Sequence, residues 1–101
     1  MSRVWITWLS IISTKMNSQE IQDAVYNWAV AQNFSAPYGV ITGDHVNKKG
    51  IKYKSVTFGR ARTLDATVEI YNRNFIVVRT SRHGSQSFKD ALSMQRFLET
   101  I

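Results

Sequence analysis

Residues 66–80 carry the pattern that most restricts the fold of this chain. At its start, Ala66, Val68 and Ile70 alternate with polar or aromatic neighbours, which puts these three on one face of an extended strand. The sequence NRN follows, and asparagine tolerates the positive φ angles of a tight turn. Residues 75–80, FIVVRT, then return as a second strand. The pattern predicts an antiparallel hairpin.

Two more strands are predicted upstream of this hairpin. Val40 to Thr42 forms a short strand before the turn-like sequence GDHVNKKG, and Ile51 to Phe58 forms a longer one. The apolar positions of the longer strand change parity between Tyr53 and Val56. We expect a β-bulge near Ser55 to bring both sets to one face.

One helix is predicted from residue 18 to about Gln32. Asn17 can cap its first turn, and Glu20 can bond back to the cap amide, as in a capping box. Asn33 is suited to a left-handed stop, and Pro37 forbids continuation. Its apolar stripe consists of Ile21, Ala24, Val25, Trp28 and Ala29.

A second helix is predicted from Phe88 to about Glu99, after the loop SRHGSQ. Ser87 and Asp90 provide the capping side chains. Its apolar face consists of Ala91, Leu92, Met94, Leu98 and Ile101.

The order helix, strands, helix determines the fold class. A single sheet cannot bury its own apolar face, so both helices are needed to cover one side of it. We predict an α+β two-layer domain with an antiparallel sheet of three to four strands and both helices on one face. The other face is left for solvent or a ligand. The chain has 101 residues, of which 44% are hydrophobic, and one domain is assigned to residues 16–101.

Residues 1–15, MSRVWITWLSIISTK, are interpreted as an apolar N-terminal extension. The run from Val4 to Ile12 is too short to span a bilayer, and no membrane partner is expected. We favour Met16 as the true start, because the composition changes there and a helix signal begins at once. The alternatives are an added β-strand, or a segment that pairs with a sheet edge in a homodimer.

The charge is distributed unevenly. The formal net charge is +6, of which residues 1–47 contribute −1 and residues 48–101 contribute +7. The stretch KKGIKYKSVTFGRAR, residues 48–62, has six Lys or Arg and no acidic residue. Such asymmetry favours a polyanionic partner, above all a nucleic acid.

The candidate binding residues fall into two basic groups. The first group lies along the strand at 51–58 and in the residues that flank it. The second group lies before and at the start of the last predicted helix, whose early amides also favour an anion. The expected phosphate contacts are Lys48, Lys49, Lys52, Lys54, Arg60, Arg62, Arg79, Arg82 and Lys89. Tyr53 and His83 would add stacking or hydrogen bonding, and Tyr38, Phe58 and Tyr71 are further stacking candidates.

Several classes of chemistry lack the residues they need. The chain has no cysteine, which excludes disulfides and thiolate metal sites and agrees with a cytoplasmic location. Asp44, His45 and Asp65 are too few for a metal site, and no phosphate-binding glycine loop implies a nucleotide cofactor. His45 and His83 lie in different predicted loops. We therefore expect no metal, no cofactor and no enzymatic activity.

The order of elements resembles the double-stranded RNA-binding domain. The points of contact are PY at Pro37 and Tyr38, GDH at Gly43 to His45, and GSQSFKDA at Gly84 to Ala91. The resemblance implies that the loop of His45 touches a minor groove and that Lys89 faces phosphates. This chain departs from the family in its reduced lysine cluster at the last helix and in about one extra strand.

The chain is also similar, in size and charge, to small basic accessory proteins of T4-like bacteriophages. The segments that carry this likeness are KKGIKYKSVTFGRAR and FIVVRTSRHGSQSF. It implies a counter-defence role in the host cytoplasm, such as inhibition of a host toxin endoribonuclease.

The combined prediction is a non-enzymatic RNA-binding protein. Double-stranded or structured RNA is favoured over DNA, because no predicted helix has the basic face that would enter a major groove. One alternative is an inhibitor that docks the basic stripe on an acidic host protein. The other is a small metal-independent ribonuclease that uses His45 or His83.

Overall fold

The computed structural model describes residues 16–31, 39–60 and 64–100. These residues form one antiparallel sheet with two helices packed on it, and the predicted α+β two-layer fold is confirmed. Neither helix is long and apolar enough to cross a membrane. The elements are α1 (Ser18–Ala31), β1 (Val40–Val46), β2 (Lys52–Arg60), β3 (Leu64–Asn72), β4 (Phe75–Thr80), β5 (Gly84–Phe88) and α2 (Ala91–Leu98).

The five strands lie in the sheet in the order in which they occur in the chain. Every neighbouring pair is antiparallel, so the turns alternate between the two ends of the sheet. We call the end with the β1–β2 and β3–β4 turns the near end. The end with the β2–β3 connection and the β4–β5 turn is the far end.

Side-chain alternation assigns each strand residue to one of two faces. The registers align Val56, Val68 and Val78 across three strands, all fully buried. Even-numbered strand residues therefore form the helix face. Odd-numbered strand residues form the opposite side, which we call the open face because no helix covers it among the described residues.

Both helices contribute to one hydrophobic core on the helix face. Helix α1 contacts β1 to β3, and α2 contacts β4 and β5. Trp28 of α1 packs edge-on against Phe58, with ring centroids 5.8 Å apart. The buried apolar residues from the helices are Ile21, Ala24, Val25, Trp28, Ala29, Ala91, Met94 and Leu98. Phe58, considered above as a stacking residue, is 2% exposed and belongs to this core.

The predicted capping box of α1 is confirmed. The Asn17 side-chain oxygen accepts from the Glu20 amide, and the Glu20 carboxylate accepts from the Asn17 amide, both at 2.9 Å. The whole predicted apolar stripe of this helix is buried. The predicted stop signals at Asn33 and Pro37 lie outside the described residues.

The buried side chain of Gln22 fixes α1 to the sheet. Its amide nitrogen donates to the carbonyl oxygens of Gly43 at 3.2 Å and Ser55 at 3.1 Å. These carbonyls belong to paired residues of β1 and β2. One helical side chain therefore joins the first three elements of the fold.

The sheet has five strands rather than three or four, because the predicted loop SRHGSQ contains most of β5. Gly84 has a φ of 71°, which allows the tight turn that starts this strand. Four of the five residues of β5 are exposed, so the strand lacks the apolar alternation by which strands are recognised. Helix α2 consequently begins at Ala91 rather than Phe88, and Ser87 is a strand residue.

The predicted bulge near Ser55 is wrong. The registers of β2 with both neighbours run through Ser55 without interruption. Lys52 and Lys54 occupy helix-face positions at the near end, while Tyr53 lies on the open face. The apolar positions of this strand therefore change parity because the aromatic residue Tyr53 lies on the open face. A register irregularity occurs instead between Ile70 and Asn72.

The cap of α2 gives a first prediction. The Asp90 carboxylate accepts from the Ser93 amide at 2.7 Å, and this hydrogen bond lowers the pKa of Asp90 below 3.8. We expect Asp90→Ala to lower the free energy of unfolding by about 1 kcal/mol at neutral pH, measured by urea denaturation.

A folded-state pKa below the unfolded value stabilises the fold above pH 3.8, and this contribution is lost as the pH falls through the folded value. The difference between the wild type and Asp90→Ala should therefore shrink in acid. Asp90→Asn is the control, because it keeps the capping oxygen without a titrating charge. A difference that does not change with pH would contradict the assignment.

Candidate nucleic-acid interface

Four rings form a continuous row across four strands of the open face. His45 of β1 and Tyr53 of β2 are cross-strand partners, with ring centroids 5.2 Å apart. Tyr53 and Tyr71 of β3 are 4.9 Å apart, and Tyr71 and Phe75 of β4 are 5.3 Å apart. We call these four residues the ring row. It lies close to the near end, beside the β1–β2 and β3–β4 turns.

The rings of the row lean against one another. Interplanar angles of 32°, 31° and 45° at these separations correspond to tilted, offset stacking. Tyr53 and Tyr71 each have a ring on both sides and are half-buried. His45 and Phe75 each have only one ring neighbour within the row, and both are exposed, Phe75 by 44%. The two ends of the row are thus its accessible parts.

Gly43 and Ser55 fix the orientation of His45. The imidazole Nε2 lies 2.9 Å from the Ser55 hydroxyl, within hydrogen-bond distance. A Cβ atom at Gly43 would lie 2.8 Å from the same Nε2, too close for the ring to stay in place. The ring therefore lies along β1 in space that only glycine leaves open.

A polar chain joins the ring row to the edge strand β5. The Tyr71 hydroxyl donates to Glu69 Oε1 at 3.1 Å, and Arg79 Nε donates to Glu69 Oε2 at 2.9 Å. Arg79 also donates to the Ser85 hydroxyl at 2.7 Å. Burial first, and then the bond to Glu69, raise the pKa of Tyr71, and the bond to Glu69 raises the pKa of Arg79.

Five basic residues lie at the near end, and we call them the near-end cations. They come from the β1–β2 turn, the start of β2, the β3–β4 turn and the residue after β5. All five are exposed, and none has an ion-pair partner among the residues described here. They are Lys48, Lys49, Lys52, Arg73 and Lys89.

Two other predicted phosphate contacts already have anionic partners. Lys54 Nζ forms an ion pair with Asp44 at 2.9 Å, and Arg79 forms one with Glu69 at the same distance. The Glu69 side chain is only 12% exposed, so solvent screens the second pair less than an open surface pair. Both cations are therefore less available to phosphate than the near-end cations.

The remaining predicted contacts lie towards the far end. Arg60 ends β2 and its side chain lies outside the described part, as does all of Arg62. Arg82 and His83 lie in the β4–β5 turn, and the His83 ring meets Phe97 edge-on at 5.7 Å. Because Phe97 is in the last turn of α2, His83 lies beside the C-terminal end of the helix and not beside its early amides.

The basic stripe of residues 48–62 is therefore divided. Lys54 and Arg60 are separated by about 20 Å of strand whose residues carry no charge. Lys48, Lys49, Lys52 and Tyr53 lie at the same end of the sheet as Lys89, and Arg82 and His83 lie at the other end.

The sequence patterns assign no binding role to Phe75 and Arg73, which they place in a strand and a turn. His45 is a candidate contact through the family resemblance, but it lies in β1 rather than in the expected loop. The period-2 pattern of the hairpin could have placed Phe75 and Tyr71 on the same face.

A concavity of about 530 Å³ adjoins the ring row at the near end. It extends from Tyr53 and Tyr71 around the β1–β2 hairpin to Lys52 and to Ser18, at the start of α1. Its lining combines the rings of His45, Tyr53 and Tyr71 with the charged side chains of Asp44, Lys52 and Lys54.

The two histidines do not form a shared site. His45 is in edge strand β1 near one end of the sheet, and His83 is in the β4–β5 turn at the other end. Within the described ranges, no three His, Asp or Glu side chains group as metal ligands.

Comparison with known proteins gives no relative for this chain. No protein family, curated protein or solved structure matches it.

The position of Gly43 gives a second prediction. Gly43→Ala should push the His45 ring off Ser55 and lower the free energy of unfolding by about 1 kcal/mol. Urea denaturation measures this loss, and the imidazole resonances of His45 report the displacement.

The control is the same substitution in a His45→Ala background, where the ring is absent and the loss should disappear. A double-mutant cycle then isolates the coupling between the two positions. Equal losses in both backgrounds would show that Gly43 does not act through His45.

Proposed function

We propose that this protein is a non-enzymatic RNA-binding protein that uses the ring row of its open face together with the near-end cations. The observation that carries the proposal is the ring row lying beside five exposed cations without ion-pair partners among the described residues. Aromatic rings can stack with bases, and lysine and arginine neutralise phosphates. A surface that binds single strands or loops needs aromatic rings and basic side chains together.

The distribution of acidic residues supports binding of a polyanion at the open face rather than on the helix side. The exposed surface of α1 carries Glu20 and Asp23 and no basic residue. A phosphate backbone is repelled there and attracted to the turns at the near end. The charges therefore favour an approach in which the open face is turned towards the polyanion.

RNA is favoured over duplex DNA because neither helix has a basic face. Helix α2 contains one basic residue, Arg96, and α1 contains none. A helix that reads a major groove needs several. Recognition by a sheet surface is instead typical of unpaired RNA.

The alternative is an acidic protein partner for the same cations. Purification in low salt, with and without nuclease, separates the two. Loss of the bound partner on nuclease treatment supports RNA, and retention of a bound protein supports the alternative. Inhibition of a host toxin endoribonuclease stays a prediction from the resemblance to phage accessory proteins.

Salt dependence gives a third prediction. If the five near-end cations each contact a phosphate, log affinity for a 12-nucleotide single-stranded RNA should fall with log salt at a slope of about −3.5. Replacing Lys48, Lys49 and Arg73 together with glutamine should reduce the slope by about 2. Fluorescence anisotropy across a salt series measures both values.

Lys52 and Lys54 provide a matched comparison for this experiment. They have the same side chain and lie two residues apart on one face, but only Lys54 is paired with Asp44. Lys52→Gln should reduce the slope by about 0.7, and Lys54→Gln should leave it nearly unchanged. A wild-type affinity that does not vary with salt would overturn the proposal.

A further inference from the structure

We propose that His45 and Phe75, at the two ends of the ring row, are the residues that stack with unpaired bases, while Tyr53 and Tyr71 support them. This inference rests on the proposed function and deepens it, because it identifies the ligand as single-stranded rather than duplex RNA. It names two stacking positions that lie on different strands of the open face.

The first step is the accessibility of ring faces. A base stacks on a ring only where no other ring covers that face. Among the described residues, Tyr53 and Tyr71 have ring neighbours on both sides within 5.3 Å, whereas His45 and Phe75 each have one. A side of each end ring therefore remains available.

The second step is the rigidity of the row. His45 is held by Ser55, and Tyr71 is held by its hydrogen bond to Glu69. His45 and Tyr71 are thus fixed before any ligand arrives, which lowers the entropy lost when a base binds.

The third step is the distance between the two stacking positions. The centroid separations limit the row to about 15 Å from His45 to Phe75. An RNA strand rises about 3.4 Å per stacked nucleotide and more when extended. Bases at the two ends would thus be two to four nucleotides apart, and the near-end cations lie beside the phosphates that join them.

Duplex RNA does not satisfy this arrangement. Its base faces are covered by neighbouring base pairs, and only its terminal pairs have a free face. A duplex can still contact the near-end cations through its phosphates. The ring row therefore adds affinity for single strands alone.

The experiment compares three labelled probes by anisotropy at one low salt concentration. They are oligo(A) RNA of 12 nucleotides, a blunt-ended RNA duplex of 12 base pairs, and an abasic ribose-phosphate chain of 12 units. We expect the wild type to bind oligo(A) at least fivefold more tightly than the abasic chain, the size of one stacking contact.

The variants test the two end rings. Phe75→Leu and His45→Ala should each weaken oligo(A) binding at least fivefold and leave the abasic chain unchanged. Phe75→Trp, which keeps a ring, should retain binding. The matched control is Leu92→Ala, an apolar residue of similar exposure (40%) on α2, which should change neither probe.

The outcomes separate this inference from the proposed function. Equal binding of oligo(A) and the abasic chain, or no effect of the two ring variants, overturns the stacking assignment and leaves RNA binding through phosphates intact. No binding to any of the three probes overturns the proposed function itself.

Discussion

The open face depends on one constraint, the uninterrupted alternation of side chains through five paired strands. The registers bring even-numbered strand residues to the helix face, and the irregularity after Ile70 does not change this assignment in β4. Because both helices pack on the helix face, the odd-numbered rings contact one another and their open-face neighbours Ser55 and Glu69. A shift of β2 by one residue would put Ser55 or Thr57 in the place of Val56, at the cost of the core's apolar packing.

Local signals explain which parts of the fold could be predicted from the sequence. The Asn17 capping box and the hairpin around residues 72–74 depend on residues a few positions apart, and both are present in the structure. Strand β5 could not be predicted in this way, because GSQSF has no apolar alternation and forms a strand only through pairing with β4. The ring row also depends on register, because no signal within a single strand places its ring beside the rings of the neighbouring strands.

The same distinction applies to the charges. Lys54 and Arg60 are close in sequence, yet an extended strand separates them by most of the length of the sheet. Lys89 is far in sequence from Lys48 and lies at the same end, because β5 returns to it. The antiparallel topology therefore determines which cations lie at the same end of the sheet. The composition alone shows only that the chain has many cations. Pairing of Arg79 with Glu69 is a cross-strand effect of the same kind.

The order of the strands also bears on how the chain folds. Each strand pairs with its neighbour in sequence, and the first helix packs on β1 to β3 while the second packs on β4 and β5. The strand pairings thus close short connections, and the loop-closure entropy lost in forming them is small. Strands connected in this order form contacts that are closer in sequence than those of a sheet with crossover connections, which favours faster folding. The β3–β4 hairpin joins the half of the sheet under α1 to the half under α2. Its formation therefore brings the two halves of the sheet into one hydrophobic core.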